Sequence, residues 1–329
     1  KAKVIGGTKN TRRFVHLKKF NNPMSKISYA DVFGKLDDVR MGKVKEGLKF
    51  GQWNLDSHLR FKRGNFNVVL GHANVGKTSV MLYLMLLQTI VNDIKWLVFS
   101  SENTPVSIAK KLSEFFLGKP INKIDEDEFQ MALDLVQRYF IIIDTDKKMY
   151  TYKDLIEEAT DIYHEEGFDG FLIDPYNSLT KDKEMFKTLG GHEYDYEVST
   201  HFRNWAKQHD VSIWLNAHAV TNALRMKHSA GHEYAGHPMP PSAADIEGGG
   251  KFVNRADDFV VIHRYIQHPT EWMYNQVHIR KVKEVETGGR PTALDEPIRF
   301  RSIPNNVGFE IHGENLIGKK EKEQSKMPF

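Results

Sequence analysis

Residues Gly71-His72-Ala73-Asn74-Val75-Gly76-Lys77-Thr78 fit the pattern G-x-x-x-x-G-K-[ST]. An apolar run over 66–70 leads into them and a helical pattern over 79–91 leads out. Strand, glycine loop and helix in that order constrain the chain strongly. The glycines Gly71 and Gly76 let the backbone wrap phosphate oxygens, and the helix N-terminus turns free N–H groups toward them. Lys77 is placed to reach the β- and γ-phosphates, and the Thr78 hydroxyl to ligate Mg²⁺. Asn74 and Ser79 complete the expected nucleotide-binding set. The cofactors this pattern points to are a nucleoside triphosphate and Mg²⁺.

At 329 residues the chain has room for one large or two ordinary domains. A net charge of only +3 excludes a strongly basic binder, so any nucleic-acid contact must come from local patches. The chain has no cysteine, which excludes disulfides, thiolate metal sites and thiol catalysis. No apolar run reaches membrane-spanning length and the first residues lack a signal-peptide core. The expectation is a cytoplasmic protein without membrane contact. A chain opening on Lys1 also reads as a piece of something longer.

Residues 1–46 differ from the rest. Lys1, Lys3, Lys9, Arg12, Arg13, Lys18, Lys19 and Lys26 precede the first acid, Asp31. They read as a solvated basic arm, or as a linker that docks on a neighbouring subunit or nucleic acid. A short helix is expected over 28–36. From residue 47 the pattern becomes α/β. Strands are expected at 66–70, 96–100, 139–144, 170–174, 211–217, 258–264 and 276–282. Helices are expected at 79–91, 106–117, 125–138, 152–166 and 194–209. This alternation predicts a mostly parallel sheet flanked by helices, with antiparallel strands at the C-terminal end. Residues 218–252 show no clear element and many Gly, Pro and His, which marks a functional or disordered loop. The expected organisation is an arm over 1–46, a nucleotide-binding domain over 47–312 and a charged, disordered tail over 313–329.

A phosphate loop names only a nucleotide; the reaction depends on its partners. Asp174 and Asp144 each end an apolar run, and either acid could hold Mg²⁺. The polar turn Pro175-Tyr176-Asn177-Ser178 favours Asp174. Glu102 follows the run 96–100, where a carboxylate could polarise an attacking water. His218 closes the run 211–217, where it could contact the γ-phosphate or serve only packing. His228, His232 and His237 have a spacing that would suit zinc on a helix, but Gly231, Gly236 and Pro238 argue against a helix there.

Together these strand ends resemble the ring-forming replicative helicases, the DnaB-type family and the related phage primase–helicases, over about residues 47–309. The family's Ser-x-Glu signature is matched by Phe99-Ser100-Ser101-Glu102, which implies the catalytic role for Glu102. The resemblance likewise implies Asp174 for Mg²⁺ and His218 as γ-phosphate sensor. The family's Asp, glycine loop, Asp-Ala-Asp, strand and Arg are similar to Asp245 with 246–251, Arg255-Ala256-Asp257, 259–263 and Arg264. Its Lys-x-Arg signature is similar to Lys281-Val282-Lys283, ahead of Thr287-Gly288.

The resemblance implies a RecA-like P-loop NTPase fold and a homo-oligomer, a hexamer with ATP between subunits. Lys281 and Lys283 would then reach a neighbour's nucleotide. Lys283 stands where the family has Arg and cannot contact phosphate bidentately, so Arg280 or Arg290 could supply the guanidinium. Glu247 stands where the family often has a basic residue. Two loops should line the channel and touch single-stranded DNA. One carries Lys181, Lys183 and Lys187; the other carries Gly248, Gly249, Gly250 and Lys251. The implied activity is an ATP-dependent DNA helicase of replication in a bacterial or phage-infected cell, with a primase as preceding domain or separate protein. The rival readings are a RecA-like recombinase forming filaments on DNA and a P-loop regulatory ATPase without unwinding.

Overall fold

A computed structural model describes residues 29–43, 46–145, 148–247 and 250–317. The basic stretch 1–28 and the tail from 318 onward lie outside these residues, as do the readings made of them. The chain divides into two compact units, Lys1–Val44 and Lys45–Phe329. The first holds one described helix, α1 (Tyr29–Arg40), whose Tyr29, Phe33 and Leu36 are exposed at spacings of one helical turn.

The second unit is built on one nine-stranded sheet. Its strands are β1 (Phe66–Gly71), β2 (Trp96–Ser100), β3 (Phe140–Ile142), β4 (Gly170–Asp174), β5 (Ser212–His218), β6 (Asp258–His263), β7 (Tyr274–Val282), β8 (Ile298–Ser302) and β9 (Phe309–Ile311), in the order β3-β2-β4-β5-β1-β6-β7-β8-β9. The strands from β3 to β6 in that order run parallel, and β7 to β9 are antiparallel. The parallel strands β1, β2 and β4 are buried along their whole length because helices cover both faces.

On one face lie α3 (Lys77–Asn92), α4 (Pro105–Leu117) and α5 (Glu126–Tyr139), packed on Val69, Val98, Leu172 and Trp214. On the other lie α6 (Tyr152–Glu166), α7 (Lys183–His209) and α8 (Lys251–Arg255), packed on Val68, Leu97, Phe171 and Ile213. Helix α5 starts from a capping box, Asp125 with Glu128, and α6 from another, Thr151 with Asp154. The register puts Gly71 beside His218 and Ser100 beside Asp174, so the C-terminal ends of the parallel strands share one rim.

Five features differ from the sequence expectations. A six-residue helix, α2 (Trp53–His58), precedes β1, and β8 and β9 extend the sheet. Strand β3 is shorter than 139–144. Helix α7 begins at Lys183, broken at Gly190, whose φ of 74° interrupts the helical path. The 218–252 stretch holds short 3₁₀ turns and α8, tied by a bridge between Lys227 and Pro238. Among the described residues no helix is long and apolar enough to cross a membrane.

The 218–252 stretch is ordered by rings. His228 stacks on His232 at 3.9 Å between centroids, and Tyr234 stacks on Tyr265 at 4.0 Å. His228 Nε2 hydrogen-bonds the Tyr265 hydroxyl at 2.9 Å. His263 and His278 are buried nearby. Burial first, then the neighbouring His72 and His228, pulls the His263 imidazolium down to about 3. Burial and Arg280 take His278 down to about 3.

Both pKa values are lowered, so both histidines contribute full stability above the unfolded value near 6.5. That contribution is lost as pH falls from 6.5 toward 3, because only the unfolded chain takes up the protons. The expected slope is about 1.4 kcal/mol per pH unit for each histidine. Urea unfolding at about pH 7.5 and about pH 5.5 checks this. His278→Gln should flatten the pH dependence by one histidine's share, and an unchanged dependence contradicts the assignment.

Candidate active site

The turn at the end of β1 is shaped by two close approaches. A Cβ at Gly71 would stand 2.5 Å from the Ile262 carbonyl oxygen, so β1 and β6 leave no room for a side chain. Gly76 has a φ of 87°, and a Cβ there would lie 2.7 Å from Nδ2 of Asn275. Asn74 also adopts positive φ, 62°. The Asn275 amide donates to the Val75 carbonyl and braces the loop from β7.

Lys77 opens α3 and folds back over the loop. Its Nζ donates to the carbonyls of Gly71 (3.0 Å) and His72 (2.9 Å) and lies 3.5 Å from Nδ1 of His218. Burial lowers its pKa to about 8, against the opposing fields of Asp174 and Glu102. Ser79 lines a cavity of about 250 Å³ with Thr78, Asn103 and Lys111.

Thr78 Oγ1 donates to Oδ2 of Asp174 at 2.6 Å, and Asn216 Nδ2 donates to Oδ1 at 2.7 Å. Asp174 is 1% exposed. Burial raises its pKa, while Thr78, Asn216 and Lys77 oppose that. Asp144 follows β3 at the sheet edge, with β2 between β3 and β4. The acid that meets the loop is therefore Asp174. A hydroxyl and a carboxylate in contact form a hard-oxygen pair that suits Mg²⁺.

Glu102 sits past the end of β2 with its side chain 54% exposed. Its Oε1 lies 3.2 Å from Nε2 of His218. Lys77, His218 and Glu102 thus form a chain across three strand ends.

The remaining sequence-expected residues are elsewhere. Lys281 and Lys283 lie where β7 pairs with the start of β6, at the opposite end of the parallel strands from Gly71. Lys281 Nζ donates to the carbonyls of Val253 and Ala256 at 2.7 Å each, and Lys283 Nζ to Oδ1 of Asp257 at 3.2 Å. Arg280 contacts His278. Lys181 lies over the Phe186 ring at 4.5 Å, and Lys183 opens α7. Lys251 pairs with Glu193. Gly250 has ordinary right-handed geometry (φ −62°), and a Cβ there would meet nothing nearer than 3.5 Å, so glycine is not required. Gly248 and Gly249 lie outside the described residues. Asn216, Asn275 and Asn177 are the site's polar supports that sequence reasoning did not assign.

No family model matches the chain. A Twinkle homolog protein, chloroplastic/mitochondrial, of Arabidopsis thaliana is 24% identical over 278 residues, covering 80% of this chain and 37% of that protein. The chain thus spans little more than a third of that relative. A solved ATPase domain superposes with a TM-score of 0.69 at 16% identity, covering 86% of this chain and 98% of that one. A DnaB-like replicative helicase, described with its interactions with primase, superposes with a TM-score of 0.65 at 16% identity, covering 86% of this chain and 66% of that one. With its phosphate loop on the rim of a mostly parallel sheet, the chain has the RecA-like ATPase-domain fold of the DnaB-like replicative helicases.

Proposed function

We propose that the chain is the ATP-hydrolysing motor of a ring-forming replicative DNA helicase. The observation that carries this reading is the convergence of Lys77, Thr78, Asp174, Glu102 and His218 on one rim. Lys77 supplies positive charge to the β- and γ-phosphates. Thr78 and Asp174 would hold Mg²⁺, which would supply charge to offset that of the phosphates. Glu102 takes a proton from the attacking water, and His218, between Glu102 and Lys77, reads the γ-phosphate.

Lys281 and Lys283 stand at the far end of the sheet, so they serve a site only if it belongs to a neighbouring copy. This geometry, and the exposed apolar residues of α1, support a ring of subunits, a hexamer by likeness to the family. The loops around Lys181, Lys183, Gly250 and Lys251 contact single-stranded DNA through its phosphates. A primase is the partner that the helicase relative suggests. The ATPase domain corresponds to 47–312, following the basic arm.

Single-stranded DNA should stimulate ATP turnover by about tenfold or more at low salt, with affinity falling as salt rises. Turnover assays across a salt series, with imaging of the particles, check this. Hydrolysis indifferent to DNA favours a regulatory ATPase, and open helical filaments favour a recombinase.

A further inference from the structure

We propose that Asn177 is the positioning residue that ties the nucleotide end of β5 to Glu247 and the entrance of α8, an inference that rests on the motor reading above. Asn177 touches both sides. The backbone N–H of His218 donates to its Oδ1 at 2.9 Å, and its Nδ2 donates to Oε2 of Glu247 at 2.8 Å. Only one orientation of the amide satisfies both partners, because an N–H must face oxygen and a carboxylate must face N–H. The ring closes through the Glu247 N–H, which donates to the His218 carbonyl at 3.2 Å, beside the bridge between Ala219 and Ile246.

The turn that carries Asn177 is itself fixed. Ser178 Oγ donates to the Pro175 carbonyl at 2.8 Å. The Tyr176 hydroxyl donates to Asp195 at 2.7 Å, and its ring packs edge-on against Phe252 of α8 at 4.8 Å. Three residues before Asn177 stands Asp174, in contact with Thr78. A shift of His218 on contacting phosphate is therefore passed by one amide to Glu247, and by the same turn to Phe252. A residue that merely glued loops together would change stability without making the α8 entrance respond to nucleotide.

Amide hydrogen exchange over 245–247 and 250–255 tests this, with a non-hydrolysable ATP analogue and Mg²⁺ added to the full chain. In the wild type the analogue should slow exchange there by about tenfold. Asn177→Asp keeps the acceptor for His218 but sets a carboxylate against Glu247, so the response should fall below about twofold while analogue affinity stays within about threefold. Adding Glu247→Gln to Asn177→Asp restores a donor–acceptor pair with reversed polarity and should restore the response. A wild-type response in Asn177→Asp alone, no rescue in the double variant, or no response in the wild type overturns the proposal. DNA-stimulated turnover of the wild type is measured beside it. Its absence removes the motor reading, while the exchange data still judge Asn177.

Discussion

Replacing Glu102 with Gln is expected to lower ATP turnover by about 10²- to 10⁴-fold while leaving nucleotide binding within about threefold. The side chain is half exposed at the end of β2, and a hydrogen bond joins it to His218 Nε2. A glutamine oxygen can keep that contact, so the rim retains its shape and only the proton acceptor is lost. Lys77, Thr78 and Asp174, the residues proposed for phosphate and metal, are untouched. Equilibrium binding of a labelled ATP analogue and steady-state phosphate release separate the two effects. Turnover within about threefold of wild type means that water is activated by another group. A parallel loss of binding means that Glu102 shapes the site rather than acting in the chemistry.

The rim was legible in the sequence because each of its members closes a continuous apolar run. Strands β1, β2, β4 and β5 are buried on both faces, so their sequences are mostly apolar, with Asn67, Ser212 and Asn216 as buried polar exceptions, and they end at Gly71, Ser100, Asp174 and His218. The polar turn after Asp174 favours it over Asp144 in the sequence, and sheet order adds the physical reason, placing β4 rather than β3 within reach of Thr78. The asparagines were hidden for a different reason. Asn216 reaches Asp174 across 42 residues, and Asn275 reaches Val75 across 200, so no local pattern marks them.

Short elements escaped as well. Strand β9 has three residues, too few to show a period. Strand β8 alternates buried Ile298 and Phe300 with exposed Arg299 and Arg301, a period-two signal that could have been read. The ordering of 218–252 comes from stacked rings on segments without periodicity. Gly250, expected in a loop that touches DNA, sits in geometry open to any residue.

Asp174→Asn should abolish Mg²⁺-dependent turnover, by about 10³-fold or more, while leaving the fold as stable as before or more so. The carboxylate is 1% exposed and burial raises its pKa, so its charge costs the native state stability. The sign follows from linkage. Between the unfolded value of 3.8 and the raised native value, the native state holds the proton more firmly, so this group's ionisation subtracts stability as pH rises. An amide of the same shape removes that cost. Its oxygen can accept from Asn216 Nδ2, and its NH₂ can donate to Thr78 Oγ1, which accepts as readily as it donates. What it cannot supply is the negative charge that a hard cation demands. Thermal unfolding at about pH 7.5, with and without Mg²⁺ and ATP analogue, reads both effects. The variant should melt at or above the wild-type temperature alone and gain less from Mg²⁺ and nucleotide. A variant that melts well below wild type, yet gains as much from Mg²⁺ and nucleotide, would show that Asp174 is a structural acid and that the metal is held elsewhere.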